Sequence, residues 1–262
     1  FYRGIATRLF RLVDGFICVS PPIREDVLSL GLPGDRITVI PSGLDTRRFR
    51  PPTNEERVAA RANLSLRDDE AMILSVGRLH PVKAYADLVR TAAGTPISPT
   101  VRFVVVGDGP ERARLRRLAQ GLPNVQFVGG VDRLQVINYL HAADMFVMPS
   151  VDLPGVREGT PTAVLEAMAC GLPIVCTDSG GLGHVVRDGE NGLVFSQRDV
   201  RGLRAALQRL LASPELRRRF GERNATLVRE RDWRRTADRV TAFYEHILRM
   251  RMMGQRADVC ES

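Results

Sequence analysis

A chain of 262 residues with 44% hydrophobic and 26% charged side chains can bury one large core or two smaller ones, and no apolar run reaches the eighteen or so residues of a membrane span. The formal charge of +8 raises nucleic acid as a partner, but the cations are dispersed over helix-like stretches 111–119, 199–211 and 214–251, where they read as solvated faces, so no nucleic-acid partner is expected. Cys18, Cys170, Cys176 and Cys260 lack metal-ligand spacing, which argues against a metal site and suits free thiols in a reducing cytoplasm.

The chain opens on FYRGIATRLFRLVDGF, where Tyr2, Ile5, Leu9, Leu12 and Val13 alternate with Arg3, Arg8 and Arg11. An ordinary packed helix is the plain reading; peripheral contact with an anionic membrane, at its inner face, is the other. The first residue is not methionine and no secretory signal is legible, so a shortened chain is expected. GFICVS (15–20) and RITVI (36–40) read as strands around the helix-like PIREDVLSLG, and PSGLDTRRFRPP (41–52) reads as a linker. Residues 1–45 are therefore expected to be the end of a domain lying mostly upstream, plus its linker, because two strands make no independent sheet.

From residue 71 short apolar runs alternate with helical patterns. AMILSVG (71–77), VRFVVVG (101–107), VQFVG (125–129), DMFVMPS (144–150), PIVCTD (173–178) and LVFS (193–196) predict strands buried on both faces. Between them, helices are predicted near 85–93, 110–121, 134–143, 161–171 and 199–213. Strand, helix, strand repeated in this way predicts an α/β fold, a Rossmann-like parallel sheet flanked by helices, over 46–232. Residues 233–262 read as an amphipathic helix with a disordered tail.

Ligands of such sheets bind beyond the carboxyl ends of the strands. In SVGRLHPVK (75–83) a strand runs into Gly77, Arg78 and Lys83, the single lysine among 38 basic residues. Two cations beside free backbone N–H groups suit a diphosphate, although solvated loop cations would read the same. In REGTPTAVLEAMACGLPIVCTD (157–178), Glu166 is the only charged side chain between Gly159 and Thr177. A hidden carboxylate needs donors, and either ligand hydroxyls or protein groups can supply them. Pro161 is expected in the first helical turn and Thr160 at its cap, with the positive helix end opening at Gly159 and Glu158 just before it.

VVVGDGPER (104–112) has Arg112 at the third glycine of the dinucleotide fingerprint, which weakens a nicotinamide reading. TDSGGLGHVV (177–186) is a glycine-rich turn. There is no Asp-x-Asp, no phosphate-loop signature and no nucleophile elbow, and the four histidines are scattered.

Taken in order and spacing, VIPSGLDTRRFRP, SVGRLHPVK, VVVGDGPER, VQFVGGV, AADMFVMPS, EGTPTAVLEAMACGLPIVCTDSGG and NGLVF resemble the C-terminal nucleotide-binding domain of glycosyltransferase family 4, from about residue 36 to about 230. The resemblance implies a two-domain GT-B fold. It also implies glycosyl transfer, with retention, from a UDP- or GDP-sugar to a lipid-linked, polysaccharide or other glycan acceptor, without metal or other cofactor. It implies that Glu158 faces the donor sugar, that Glu166 holds the ribose, and that Arg78 and Lys83, beside Gly77, neutralise the diphosphate. By the same match Gly159, Thr160, Pro161 and Thr162 cap the phosphates, while Gly130 and Val131, as far as Asp132, flank the base. Ala84 stands where the family usually has glycine, and Gly183 and His184 replace its usual Pro-Glu. The family's N-terminal glycine loop and its histidine are absent, so donor binding with poor transfer is one expectation. A non-catalytic nucleotide-sugar-binding remnant and an NAD-dependent oxidoreductase are the alternatives.

Overall fold

The computed structural model describes residues 10, 12–94, 100–154, 156 and 161–260, the side chains of 253–260 excepted. The chain divides into two compact units: the segment up to Gly43 together with that from Arg231 onward, and Leu44–Glu230.

The first unit holds two short parallel strands, β1 (Phe16–Cys18) and β2 (Ile37–Val39), joined through helix α1 (Pro21–Leu28). The last helix, α9 (Trp233–Cys260), belongs to the same unit. It lies close enough that a Cβ on Gly43 would stand 2.7 Å from the Trp233 ring. Arg239 of α9 donates to the Val39 carbonyl at 2.9 Å. The expected disordered tail is thus helical as far as Cys260, since MGQRADVC contains no proline and only one glycine to stop it. The amphipathic opening segment lies largely outside the described residues. Among those described, no helix is long and apolar enough to cross a membrane.

The second unit contains α2 (Asn54–Asn63), β3 (Ala71–Val76), α3 (Tyr85–Ala93), β4 (Val101–Val106), α4 (Arg112–Leu118), β5 (Val125–Gly129) and α5 (Arg133–Ala142). It continues through β6 (Met145–Met148), α6 (Thr162–Ala169), β7 (Ile174–Thr177), β8 (Gly192–Phe195), α7 (Val200–Ala212) and α8 (Pro214–Val228). Its sheet runs β5-β4-β3-β6-β7-β8, every pairing parallel. The sequence expectation of an α/β, Rossmann-like sheet holds, and the reason is visible strand by strand. In β3, Met72 and Leu74 enter one core with Ala60, Val136, Leu140 and Val164 of α2, α5 and α6. Ile73 enters the other, with Leu88, Leu115, Leu203 and Leu207 of α3, α4 and α7. A strand covered on both faces has no side left for polar residues, hence the continuous apolar runs. At roughly 1.5–3 kcal/mol for each large side chain removed from water, these two layers supply most of the drive to fold.

Helix α2 was not predicted. It begins with a capping box, in which Glu56 N–H donates to the Thr53 hydroxyl at 3.2 Å and Thr53 N–H to the Glu56 carboxylate at 2.8 Å. From it, Arg57 and Arg61 reach Asp144 at 2.7 and 3.4 Å. Asp144 also accepts from Met72 N–H at 2.8 Å, tying the helix to the sheet edge at the start of β6.

Candidate functional site

Chain order reverses between β3 and β6: from β3 the sheet grows one way through β4 and β5, and from β6 the other way through β7 and β8. In open parallel sheets the crevice beyond the carboxyl ends at such a switch point is where ligands bind. The loops leaving β3 and β6 are the ones carrying Gly77 to Lys83 and the approach to α6.

After β3 the backbone stays in register with β4. Gly77 N–H donates to the Val106 carbonyl at 2.9 Å, and Leu79 N–H donates to that of Asp108, also at 2.9 Å. Arg78 between them is exposed. Pro81–Lys83 forms one 3-10 turn, and the Val82 carbonyl accepts from Val151 N–H at 2.8 Å, joining this turn to the loop after β6. Lys83 is buried, with its Nζ 3.8 Å from the point where a Cβ on Gly77 would stand. A Cβ on Gly77 would stand 2.8 Å from the Tyr85 hydroxyl, so the bare backbone there makes room for that group, with the Lys83 ammonium in ordinary contact beside it. Ala84, the position where family 4 usually has glycine, adopts φ 46° and ψ 35°, the left-handed region, as the chain enters α3. The glycine preference therefore reflects backbone geometry at this bend.

Across the switch point, α6 begins one residue later than the sequence implied. Pro161 is its N-cap, with φ −61° and ψ 125°, and Thr162 is its first helical residue. The proline ring sets φ to a helix-compatible value, but the extended ψ keeps Pro161 outside the helix. Glu158, Gly159 and Thr160 lie outside the described residues, so the expected Thr160 cap and the Glu158 placement do too. Pro161 is buried and Thr162 exposed.

Glu166 is 6% exposed, among buried Val164, Leu165, Ala167, Met168 and Ala169. Its Oε1 accepts from Arg133 Nη2 at 2.8 Å. Burial pushes the Glu166 carboxyl above its ordinary value, while the charge and hydrogen bond of Arg133 pull it back. Of the two kinds of donor left open by the sequence, a protein donor is thus present. Arg133 itself was missed: it lies 33 residues away with no local signature linking it to Glu166. It is the first residue of α5, whose cap is fixed by Asp132 accepting from Gln135 N–H at 2.8 Å. Its guanidinium lies over the ring of Phe49, 5.3 Å from the centroid.

Gly130 and Val131 connect β5 to that cap, Gly130 exposed and Val131 half-buried. Gly107 N–H donates to the Gly129 carbonyl at 2.8 Å, so the ends of β3, β4 and β5 form one continuous edge. Arg112, in place of the third fingerprint glycine, pairs with Asp108 at 2.7 Å. Gly183 and His184 are exposed in a single 3-10 turn after β7. A second group that sequence reasoning missed is Asp152. It accepts from Ser179 Oγ at 2.8 Å and from Gln197 Nε2 at 3.2 Å, fastening together the loops after β6, β7 and β8. The described expected residues thus fall into three groups: Gly77, Arg78 and Lys83 after β3, Pro161 and Thr162 at the start of α6, and Gly130 and Val131 after β5, the last followed by Arg133, which reaches Glu166.

The family model described as glycosyl transferases group 1 matches residues 56–227, and that described as Glycosyltransferase Family 4 matches residues 1–48. The chain is 35% identical over 207 residues to a GDP-mannose-dependent monoacylated alpha-(1-6)-phosphatidylinositol monomannoside mannosyltransferase of Corynebacterium glutamicum, covering 77% of this chain and 54% of that protein. It is also 35% identical over 229 residues to the lipopolysaccharide core biosynthesis glycosyltransferase LpsE of Rhizobium meliloti, covering 85% of this chain and 62% of the relative. Among solved structures, Anabaena HepE in complex with UDP and glucose aligns with a TM-score of 0.83 at 20% identity, over 93% of this chain and 66% of that one. A sucrose-phosphate synthase of Thermosynechococcus elongatus aligns with a TM-score of 0.81 at 29% identity, over 95% and 62%. The chain spans about half the length of several of the curated relatives it matches, 54% in the first case. With two thirds of its residues inside one family model and the Rossmann-like sheet of GT-B structures around its candidate site, this chain belongs to the group 1 glycosyl transferases.

Proposed function

We propose that this chain carries the donor side of a retaining, metal-independent glycosyltransferase. The reaction moves a sugar from a UDP- or GDP-sugar to a lipid-linked, polysaccharide or other glycan acceptor. The observation that carries the reading is the turn at the switch point, where Lys83 Nζ lies 3.8 Å from the Cβ position of Gly77 with the exposed Arg78 next in the chain. Bond cleavage at the anomeric carbon leaves negative charge on the diphosphate. Two cations stabilise that developing charge, the task a divalent metal performs elsewhere. Glu166 binds the ribose hydroxyls, and Glu158 faces the donor sugar. Gly159, Thr160, Pro161 and Thr162 cap the phosphates, and Gly130 and Val131 flank the base. The departing phosphate takes the acceptor proton, so the site needs no strong protein base. Relatives named for phosphatidylinositol monomannoside mannosyl transfer and lipopolysaccharide core biosynthesis support a lipid-linked or glycan acceptor.

A second reading is a nucleotide-sugar-binding module without transfer of its own. The two are separated by titrating the protein with UDP, GDP and NADH in the presence of EDTA, then assaying hydrolysis of the sugar nucleotide that binds. Binding with turnover supports the transferase; binding without turnover supports the module. Binding of NADH alone overturns both.

A further inference from the structure

We propose that Arg133 is a positioning residue of the ribose subsite: held over the Phe49 ring, its guanidinium takes one oxygen of Glu166 and keeps the carboxylate charged and aimed, leaving the second oxygen for the sugar hydroxyls. The inference rests on the nucleotide-sugar reading and names a group that the family resemblance does not assign.

Glu166 cannot orient itself. Its helix neighbours Leu165 and Ala167 are apolar and buried, so outside donors fix its carboxylate. Arg133 Nη2 is such a donor, at 2.8 Å from Oε1. Arg133 is restrained from both ends. At its backbone, the Asp132–Gln135 capping box fixes the first turn of α5. At its guanidinium, the Phe49 face, 1% exposed, forms a floor 5.3 Å below. A planar guanidinium can stack on a ring and still offer its edge to a carboxylate, which an ammonium does less well. The pair links the residues after β5 to α6, so the groups expected at the base and at the ribose become one mechanical unit.

Charge matters because a vicinal diol presents two O–H donors, and an ionised carboxylate accepts both while a protonated one gives up an acceptor to its own proton. Burial favours the protonated form and Arg133 opposes it. Among the described residues, Cys170, the C-cap of α6, faces Glu166, and Arg50, beside Phe49 in the chain, acts on Cys170. Beyond these lie Glu56 of α2 and His141 of α5, which act on that cluster rather than on Glu166.

Calorimetric titration of the whole chain with UDP and GDP between pH 5.5 and 8.5 tests the idea on the native protein, Arg133→Met, Arg133→Lys and Glu166→Gln. Arg133→Met is expected to bind roughly tenfold more weakly at pH 7, the scale of one charge-assisted hydrogen bond. Its affinity should fall further as pH drops, from a midpoint above that of the native protein. Arg133→Lys, which keeps the charge and perturbs packing least, should restore the native pH midpoint with part of the affinity. Arg133→Met binding with native or greater affinity overturns the proposal, as does a loss equal at every pH or a Lys variant no better than Met. If the native protein binds neither nucleotide, or Glu166→Gln binds as well as native, the ribose assignment itself is wrong, and this inference falls with it.

Discussion

Gly107 meets Gly77 so closely that a Cβ on Gly107 would stand 1.9 Å from the Gly77 carbonyl oxygen. Gly107 also adopts φ +144°, where side chains are rarely tolerated. The turns after β3 and β4 are therefore interlocked through two glycines, and the strand-end hydrogen bonds of Gly77 and Leu79 depend on that approach. Gly107→Ala is expected to cost about 2–4 kcal/mol, combining a backbone clash with local strain. Urea unfolding measures the loss. Native stability in this variant would show that the two turns can separate freely.

Ala84 has φ 46°, one of three described non-glycine residues with positive φ. Holding a Cβ in the left-handed region costs about 1–2 kcal/mol. Glycine removes that strain but adds freedom to the unfolded chain, worth about 0.4–1 kcal/mol in the other direction. Ala84→Gly should therefore raise stability by up to about 1 kcal/mol, unlike most glycine substitutions. A drop in the unfolding midpoint would mean that the bend before α3 carries no strain.

The sheet was legible because its strands are buried on both faces, so Met72–Leu74 and Ile174–Cys176 appear in the sequence as unbroken apolar runs. Helix α2 was overlooked because NEERVAARAN buries only Ala60. Its capping box, Thr53 with Glu56, is nonetheless a readable start signal. The extension of α9 to Cys260 was hidden by a polar composition that suggested disorder. At the site, Glu166 announced itself as a lone charge in an apolar helix, and Lys83 as the single lysine. Arg133 announced nothing, because its role arises only when the fold brings the start of α5 within reach of Glu166 in α6. Among many arginines, no spacing rule marks the one that pairs. The left-handed bend at Ala84 is likewise invisible in alanine, whose usual preference is helical.

Glu166 makes the fold sensitive to pH in a defined direction. Its folded pKa lies above the ordinary 4.5, chiefly through burial. A raised carboxyl pKa favours the protonated folded form, so its stabilising contribution is complete below the unfolded value and is lost as pH climbs through the folded one. Glu166→Gln mimics the protonated state and can still accept from Arg133. The variant should match or slightly trail the native protein near pH 4 and gain on it as pH rises through the folded value. Thermal unfolding across pH 4–8 reads the difference. A gap that does not widen with pH would mean that Glu166 titrates no differently in the folded and unfolded chains.

In nucleotide binding, Lys83 should act on the phosphates and not on the nucleoside. Its ammonium lies beside the Gly77 backbone at the β3 end, whereas Gly130 and Val131 follow β5, two strands away in the sheet. Lys83→Met keeps the length of the buried stem while removing the charge. A charge-assisted hydrogen bond to phosphate contributes about 1.5–3 kcal/mol, so UDP or GDP should bind roughly 10- to 150-fold more weakly. Uridine or guanosine, lacking the diphosphate, should bind native protein and variant alike. The diphosphate defect should also shrink as salt rises, because screening already weakens the native contact. Calorimetry on the four ligand and protein combinations checks this. An equal loss for nucleoside and nucleotide would mean that the substitution distorts the turn, and Lys83 would then belong to the packing of β3 against α3 instead of to the diphosphate.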